Sequence, residues 1–129
     1  MSFENMGLNE SITRAVLDAG YTQATEVQQR AIGPALAGTD LMVSASTCSG
    51  KTAAFILPAL PRVLAARNAP SPPRDTHTPY GPRILVLTPT RELAMQVAKA
   101  AVTYGRHVPG LRVATVVGGV PYPGQLRAL

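Results

Sequence analysis

Cysteine is nearly absent from this sequence, since Cys48 is the one cysteine among 129 residues. A single thiol excludes an internal disulfide framework and a zinc site built on cysteines. No run approaches the roughly 18 consecutive apolar residues that a membrane-spanning helix needs, and residues 1–5 show no basic segment that leads into an apolar one. The sequence therefore predicts a cytoplasmic protein with no membrane partner. Its length predicts one small domain.

Acidic side chains are scarce in the second half of the chain. Residues 1–60 hold three basic and five acidic side chains, a net charge of −2, whereas residues 61–129 hold nine basic and two acidic ones, a net charge of +7. The second half is therefore the better candidate surface for a polyanion. A basic balance often only keeps a protein soluble, so the charge indicates nucleic acid only where motifs support it.

Four segments have the apolar spacing and the capping residues of helices. They cover residues 9–19, 25–38, 51–66 and 90–104. Asn9 and Thr25 are good caps for the first two, and Gly20 is a natural stop for the first.

Three short apolar runs lie between or after these helices, at residues 40–46, 83–88 and 111–117. The run at 83–88 lacks polar alternation through its centre, which is typical of a strand covered on both faces of a parallel sheet, and the run at 111–117 is similar in character. Residues 67–83 carry five prolines and predict an exposed loop. The order of helices and strands predicts an α/β fold with right-handed crossovers.

A phosphate-binding loop is predicted between the first strand and the third helix, because this is the context that such a loop requires. Unpaired N–H groups at the start of that helix form an anion site, which the helix dipole reinforces. We expect Lys51 to reach the β- and γ-phosphates, Thr52 to ligate Mg²⁺ and Gly50 to admit a close backbone approach. The alternative is a loop of chance composition, since alanine begins the pattern where glycine is usual. The predicted site residues are Ala45, Ser46, Thr47, Cys48, Ser49, Gly50, Lys51 and Thr52.

Four ordered segments of the chain resemble motifs of the DEAD-box RNA helicases. Residues 45–52 are similar to motif I, and residues 20–28, with Phe3 seventeen positions before Gly20, resemble the Q motif. Residues 89–94, Pro-Thr-Arg-Glu-Leu-Ala, match motif Ia, and residues 117–119 resemble the GG segment. The GG segment and the later Gln125 further resemble a bacterial RhlE-like branch.

The resemblance spans residues 1–129 and implies the N-terminal part of the first RecA-like domain of such a helicase. It implies a P-loop NTPase fold with three α/β/α layers and a parallel sheet, of which about three strands are present. ATP and Mg²⁺ are the implied cofactors, RNA is the implied partner, and Lys51 and Thr52 are the implied catalytic residues.

Three residues of the Q-motif region are implied nucleotide contacts: Phe3, Tyr21 and Gln28. The Gln28 amide presents a donor and an acceptor that suit the N6 and N7 edge of adenine. Thr25-x-x-Gln28 is equally a capping box, in which Gln28 reaches back to the Thr25 N–H. Phe3 either stacks on adenine or fastens the first helix to the core.

The implied RNA contacts lie in motif Ia and the GG segment: Pro89, Thr90, Arg91, Gly118, Gly119 and Gln125. Each has a structural alternative. Thr90 is a good N-cap, Arg91 has the fork for a phosphate but could pair with an acidic neighbour, and the two glycines could form only a turn. His77 and His107 carry no predicted role.

The chain departs from the family pattern at two positions, and it lacks one of the family's motifs within its 129 residues. Cys48 replaces a glycine of motif I, which restricts the loop, and Ala24 replaces a proline of the Q motif. No acidic tetrad follows within the 129 residues. We therefore expect this stretch alone neither to hydrolyse ATP nor to unwind RNA, and we expect a homo-oligomer through unpaired strand edges.

Two other function classes compete with the helicase. A different P-loop protein, such as a small-molecule kinase, would explain residues 40–66 but not the other motifs. A non-catalytic interaction module would have lost nucleotide binding through Cys48. Titration with ATP against GTP addresses the first alternative, and salt-dependent RNA binding addresses the second.

Overall fold

The computed structural model describes residues 1–45, 50–68, 82–119 and 123–125. It contains a 3-10 helix, Phe3–Asn5, and the α-helices α1 (Glu10–Asp18), α2 (Glu26–Leu36), α3 (Lys51–Asn68) and α4 (Arg91–Tyr104). Residues 123–125 are also helical. The four predicted helices are thereby confirmed. Residues 67 and 68 of the predicted loop belong to α3, and residues 69–81 of it lie outside the described part.

Local hydrogen bonds explain where three of these helices begin. The Asn9 side chain accepts from the Ser11 N–H at 2.9 Å, and the Thr90 hydroxyl accepts from the Leu93 N–H at 3.2 Å. Thr25 caps α2 in the same way. Such caps satisfy N–H groups that have no partner within the helix, each contributing about 1 kcal/mol.

The helices share one apolar core. The largest fully buried side chains in it are Phe3, Ile12, Val16, Ile32 and Leu57. Full burial of each is worth roughly 1.5–3 kcal/mol. α2 packs against α3, α3 packs against α4, and α1 contacts both α3 and α4. A hydrogen bond from Gln28 to the Gly50 carbonyl holds the beginning of α3 next to the beginning of α2. Among the helices that the structure describes, none is both long enough and apolar enough to cross a bilayer.

The three predicted strands are not formed in the described residues, so the details of the sequence-based sheet stay a prediction. No strand pairing is found for the described residues of these runs, at 40–45, 83–88 and 111–117. The β-pairing that the described residues do contain is an isolated antiparallel bridge between Ser2 and Gln23. A strand exists only by pairing with a neighbour, and none of the three segments has one here. Their apolar side chains are accordingly exposed, with Leu85 at 76% and Leu87 at 84%.

A polar contact joins two distant parts of the chain outside the core. His107, in the turn after α4, bonds to the Asp18 carboxylate at the end of α1, with 2.7 Å between Nε2 and Oδ2. The hydrogen bond from His107 lowers the pKa of the Asp18 carboxyl below its ordinary value of 3.8, and the nearby charges of Arg106 and Arg14 act in the same direction. This pair fastens α1 to the end of α4.

This contact predicts an acid-dependent part of the stability. A carboxyl with a lowered pKa stabilises the fold above its unfolded value of 3.8, and the contribution is lost as the pH falls through the folded-state pKa. We expect Asp18→Asn to destabilise the protein near pH 6, as measured by urea unfolding, and the destabilisation to shrink as the pH falls below 3.8 toward the folded-state pKa. Asp40→Asn, at an exposed carboxylate, is the matched control. A difference between wild type and Asp18→Asn that stays constant with pH would contradict this reading.

Candidate nucleotide and RNA site

The first turn of α2 contains both halves of a capping box. The Thr25 N–H donates to Gln28 Oε1 at 3.0 Å, and the Gln28 N–H donates to the Thr25 hydroxyl at 3.4 Å. The structural alternative for Gln28 is therefore present. Gln28 is buried, with 6% of its surface exposed.

Gln28 makes a second contact that local sequence does not indicate. Its Nε2 donates to the Gly50 carbonyl at 3.3 Å, across 22 positions of sequence. The same carbonyl accepts the Ala54 N–H at 3.0 Å, the bond that opens α3. Gln28 thus joins the first turn of α2 to the first turn of α3.

Gly50 has two structural reasons to be glycine. Its φ of +90° lies in the left-handed region, which side-chain-bearing residues rarely adopt. A Cβ at this position would stand 2.6 Å from the Thr25 hydroxyl oxygen and 3.2 Å from Gln28 Nε2. The sequence predicted a glycine here because the backbone has to approach a phosphate closely. The structure shows a further reason, since the capping box of Thr25 and Gln28 occupies the space beside Gly50.

The N-terminus of α3 differs from that of the other helices in charge. Glu10, Glu26 and Glu92 stand in the first turns of α1, α2 and α4, whereas the first turn of α3 holds no acidic residue. Lys51 and Thr52 open α3 instead, and both are partly exposed. The first N–H groups of this 18-residue helix have no partner within the helix, and its positive dipole end has no carboxylate in the first turn. This arrangement favours an anion.

The remaining loop residues are described only in part. Ala45 is partly exposed and lines a cleft of about 570 Å³ beside the start of α2. Lys51 lines a second cleft, of about 700 Å³, together with Arg62 and Arg83. Ser46, Thr47, Cys48 and Ser49 lie outside the described residues, so their predicted contacts stay predictions.

The two aromatic residues predicted to contact the nucleotide have different positions. Phe3 is 2% exposed and belongs to the core, so its ring has the fastening role and is not available for stacking in this structure. Tyr21 is 54% exposed and packs against Tyr104, with ring centroids 6.3 Å apart and planes tilted by 58°. Burial raises the pKa of Tyr104, and Tyr21 adds to this. The Tyr21 contact is 83 positions away in sequence, and no local signal indicates it.

Motif Ia lies at the start of α4 with its polar groups outward. Pro89, Thr90 and Arg91 are all exposed. The Thr90 hydroxyl is the N-cap, so its structural role is present. In the part of the chain that the structure describes, Arg91 forms no ion pair, which leaves its guanidinium available to a phosphate.

The structure brings the GG segment to motif Ia. Gly119 has a φ of +78°, and a Cβ there would stand 3.3 Å from Arg91 Nη1. Gly118 is exposed, and nothing stands within 4 Å of a Cβ built on it. Gln125, predicted to contact RNA, lies in a buried position. It is 8% exposed, and its Oε1 accepts from the Val117 N–H at 2.6 Å.

Comparison with known proteins agrees with the resemblance seen in the motifs. A sequence profile of the DEAD/DEAH box helicases matches residues 25–129. ATP-dependent RNA helicase SrmB of Escherichia coli strain K12 is 46% identical over 121 residues, which are 94% of this chain and 25% of that protein. ATP-dependent RNA helicase DeaD of Haemophilus influenzae is 41% identical over 129 residues, all of this chain and 19% of that protein. The chain thus spans a quarter or less of these curated relatives.

Two solved structures resemble the fold. The RNA helicase Prp28 from Chaetomium thermophilum bound to ADP superposes with a TM-score of 0.77 at 35% identity, over 97% of this chain and 28% of that one. A hypothetical ATP-dependent RNA helicase from Sulfolobus tokodaii gives a TM-score of 0.74 at 37% identity, over 94% of this chain and 31% of that one. The predicted fold class, a P-loop α/β domain of the RecA-like kind, is confirmed. The kinase and interaction-module alternatives find no support. With 105 consecutive residues matching the family profile, the chain belongs to the DEAD/DEAH box helicase family.

Proposed function

We propose that this chain forms the ATP-binding and RNA-contacting part of an ATP-dependent RNA helicase, and that the whole protein hydrolyses ATP. The contact between Gln28 and Gly50 carries the proposal, because it joins the predicted base selector to the turn that precedes Lys51 and Thr52. The descriptions of the SrmB and DeaD relatives as ATP-dependent RNA helicases support it.

The start of α3 fits a nucleotide triphosphate with magnesium. Its first turn combines unpaired N–H groups, the Lys51 ammonium and no carboxylate. Lys51 would hold the β- and γ-phosphates, and the Thr52 hydroxyl would hold Mg²⁺. The metal ion supplies neutralisation of the phosphate charge. Gly50 would let the backbone follow the phosphates closely.

Gln28 retains the hydrogen-bonding capacity that base selection needs. Among the described residues, its Oε1 and Nε2 each make one bond, to the Thr25 N–H and the Gly50 carbonyl respectively. An amide oxygen has a second lone pair and an amide nitrogen a second hydrogen. These free positions suit the adenine N6–H and N7, whereas guanine presents an acceptor in place of the N6–H donor. Capping and base selection are therefore compatible roles of one side chain.

The RNA-contacting surface is proposed to be the exposed ridge formed by motif Ia and the GG segment. Arg91 would bind a backbone phosphate through its guanidinium, beside Pro89 and Thr90. Gly118 and Gly119 would let the RNA backbone pass close to the chain, because they carry no side chain. The proximity of Gly119 to Arg91 supports placing both in one surface.

We further propose that residues 40–46, 83–88 and 111–117 are strands of a parallel sheet in the whole protein. Their apolar composition and the exposure of Met42, Leu85 and Leu87 support this. For the 129-residue chain alone, the same exposed segments support self-association into a homo-oligomer. Light scattering that finds only monomer would count against the latter.

Nucleotide titration of wild type and Gln28→Glu tests the function. We expect wild type to prefer ATP to GTP, and the variant to lose about tenfold in ATP affinity, since a carboxylate keeps the acceptor for Thr25 but has no donor for Gly50 or adenine N7. Equal binding of ATP and GTP by wild type would refute base selection by Gln28.

Gln29→Glu is the matched control for this titration. It adds the same charge one position along α2 and removes a comparable donor, which bonds to the Ala24 carbonyl at 2.7 Å. We expect its ATP affinity to stay near that of wild type. RNA binding that weakens with added salt is the second expected result, and no RNA binding at low salt would leave an interaction module as the better reading.

A further inference from the structure

The Val117 backbone is held by the side chain of Gln125. The Val117 N–H donates to Gln125 Oε1 at 2.6 Å, in a part-buried position. Gln125 follows Val117 by eight positions, lies in the helical residues 123–125 and is 8% exposed. A backbone N–H that leaves water needs a partner, and a segment outside any ladder cannot obtain one from a neighbouring strand. Gln125 supplies that partner.

Val117 is the last residue before the Gly118-Gly119 turn, so the anchor acts at the base of this turn. Gly119 lies against the Arg91 guanidinium on one side, while the space beside Gly118 is open. Two glycines in sequence have little intrinsic preference for one conformation. The hydrogen bond at Val117 therefore restricts the backbone conformation of this turn, which the two glycines alone would leave free to vary.

We infer that Gln125 is a positioning residue for the RNA-contacting surface. Its carbonyl fixes Val117, and Val117 in turn fixes the Gly118-Gly119 turn beside Arg91 in the orientation that an RNA backbone meets. Gln125 itself does not touch RNA, because it is buried and its carbonyl oxygen points to the backbone. The inference rests on the proposed RNA contact of this surface. It gives Gln125 the role of positioning the Gly118-Gly119 turn instead of the role of binding RNA.

Gln125→Met in the whole protein separates these roles. Methionine has nearly the length of glutamine but offers no strong acceptor. We expect the Val117 amide, followed in peptides that cover residues 111–119, to exchange about tenfold faster. We expect the affinity for RNA to fall roughly fivefold, as for the loss of one hydrogen bond. ATP affinity should stay unchanged, because the Val117–Gln125 bond involves none of the residues proposed to hold the nucleotide. Hydrogen exchange and fluorescence titration provide the readouts.

Two further variants make the result specific. Gln125→Glu keeps an acceptor at the same reach, so it should restore slow exchange at Val117. Gln96→Met makes the same substitution at an exposed position of α4 and should leave exchange and RNA affinity as in wild type. RNA affinity that falls with exchange unchanged would show direct contact by Gln125 and overturn the inference. Equal losses of ATP and RNA affinity would show a general structural role and overturn it too.

The two proposals fail in different ways. If wild type binds no RNA, the proposed function fails, whereas the exchange at Val117 still shows whether Gln125 anchors the turn. If wild type binds RNA and Gln125→Met exchanges at the wild-type rate, the anchor is refuted and the RNA-contacting function stands.

Discussion

Replacing Lys51 by alanine is expected to lower the affinity for ATP by about a hundredfold, as for removal of one partner from a desolvated charge pair. ATP-dependent RNA unwinding by the whole protein should be lost with it. The reason is electrostatic: Lys51 stands at the positive end of α3, in a first turn without acidic residues. The phosphates would lose the one ammonium that this turn provides.

The stability of the protein should change little in this variant. Lys51 is partly exposed and forms no ion pair among the described residues, and alanine is a good helix former. We expect a change within about 0.5 kcal/mol by urea unfolding. Lys99, the other lysine of the chain, lies exposed on α4 and gives the matched control Lys99→Ala. Calorimetric titration that finds the same ATP affinity in Lys51→Ala and Lys99→Ala would remove the phosphate site from the start of α3.

Gly50→Ala is expected to be the most destabilising of three glycine substitutions, at about 3 kcal/mol or more. It forces a side chain into the left-handed region and also places a Cβ 2.6 Å from the Thr25 hydroxyl oxygen. Relief of this contact must displace the capping box of Thr25 and Gln28. We therefore also expect at least a tenfold loss of ATP affinity, because Gln28 would move away from the loop.

Two other glycines separate backbone strain from steric contact. Gly20 has a φ of +92° but nothing within 4 Å of a built Cβ, so Gly20→Ala measures strain alone, about 1–2 kcal/mol. Gly33 lies within α2 with an ordinary φ and open space, so Gly33→Ala should stabilise by roughly 0.5–1 kcal/mol. Thermal and urea unfolding of the three variants give the order. If Gly50→Ala and Gly20→Ala lowered the free energy of unfolding equally, the contact with the capping box would make no contribution to the destabilisation.

Much of the local structure was predictable from sequence. α1, α2 and α4 each begin after the residue that the sequence indicated as a cap, because a cap bonds to an N–H two or three positions ahead. Motif Ia likewise lies at the start of α4 as predicted, whereas residues 46–49 of the predicted P-loop lie outside the described residues, so that loop stays a prediction. The prediction of strands at residues 40–46, 83–88 and 111–117 was not met in the described residues. An apolar run records that a segment prefers burial, but a partner elsewhere in the chain decides whether a ladder forms.

The candidate site was predicted as a set of residues but not as an arrangement. Gln28 had two possible roles in sequence, and the structure contains the capping role together with an unpredicted bond to Gly50. Phe3 had two as well, and its burial selects the core. Gln125 was assigned to RNA from its place after the GG segment, whereas its side chain binds the Val117 backbone. Each of these outcomes depends on which groups meet in space.

The sequence by itself determined the helix starts, the charge asymmetry and the family, since each depends on neighbouring residues or on their order along the chain. Only the tertiary structure decided that His107 meets Asp18 across 89 positions, that Gln28 meets Gly50 and that Arg91 lies beside Gly119. The physical reason is that short-range hydrogen bonds follow from the local backbone. Contacts between distant residues form only after burial of the apolar core has fixed the helices against one another.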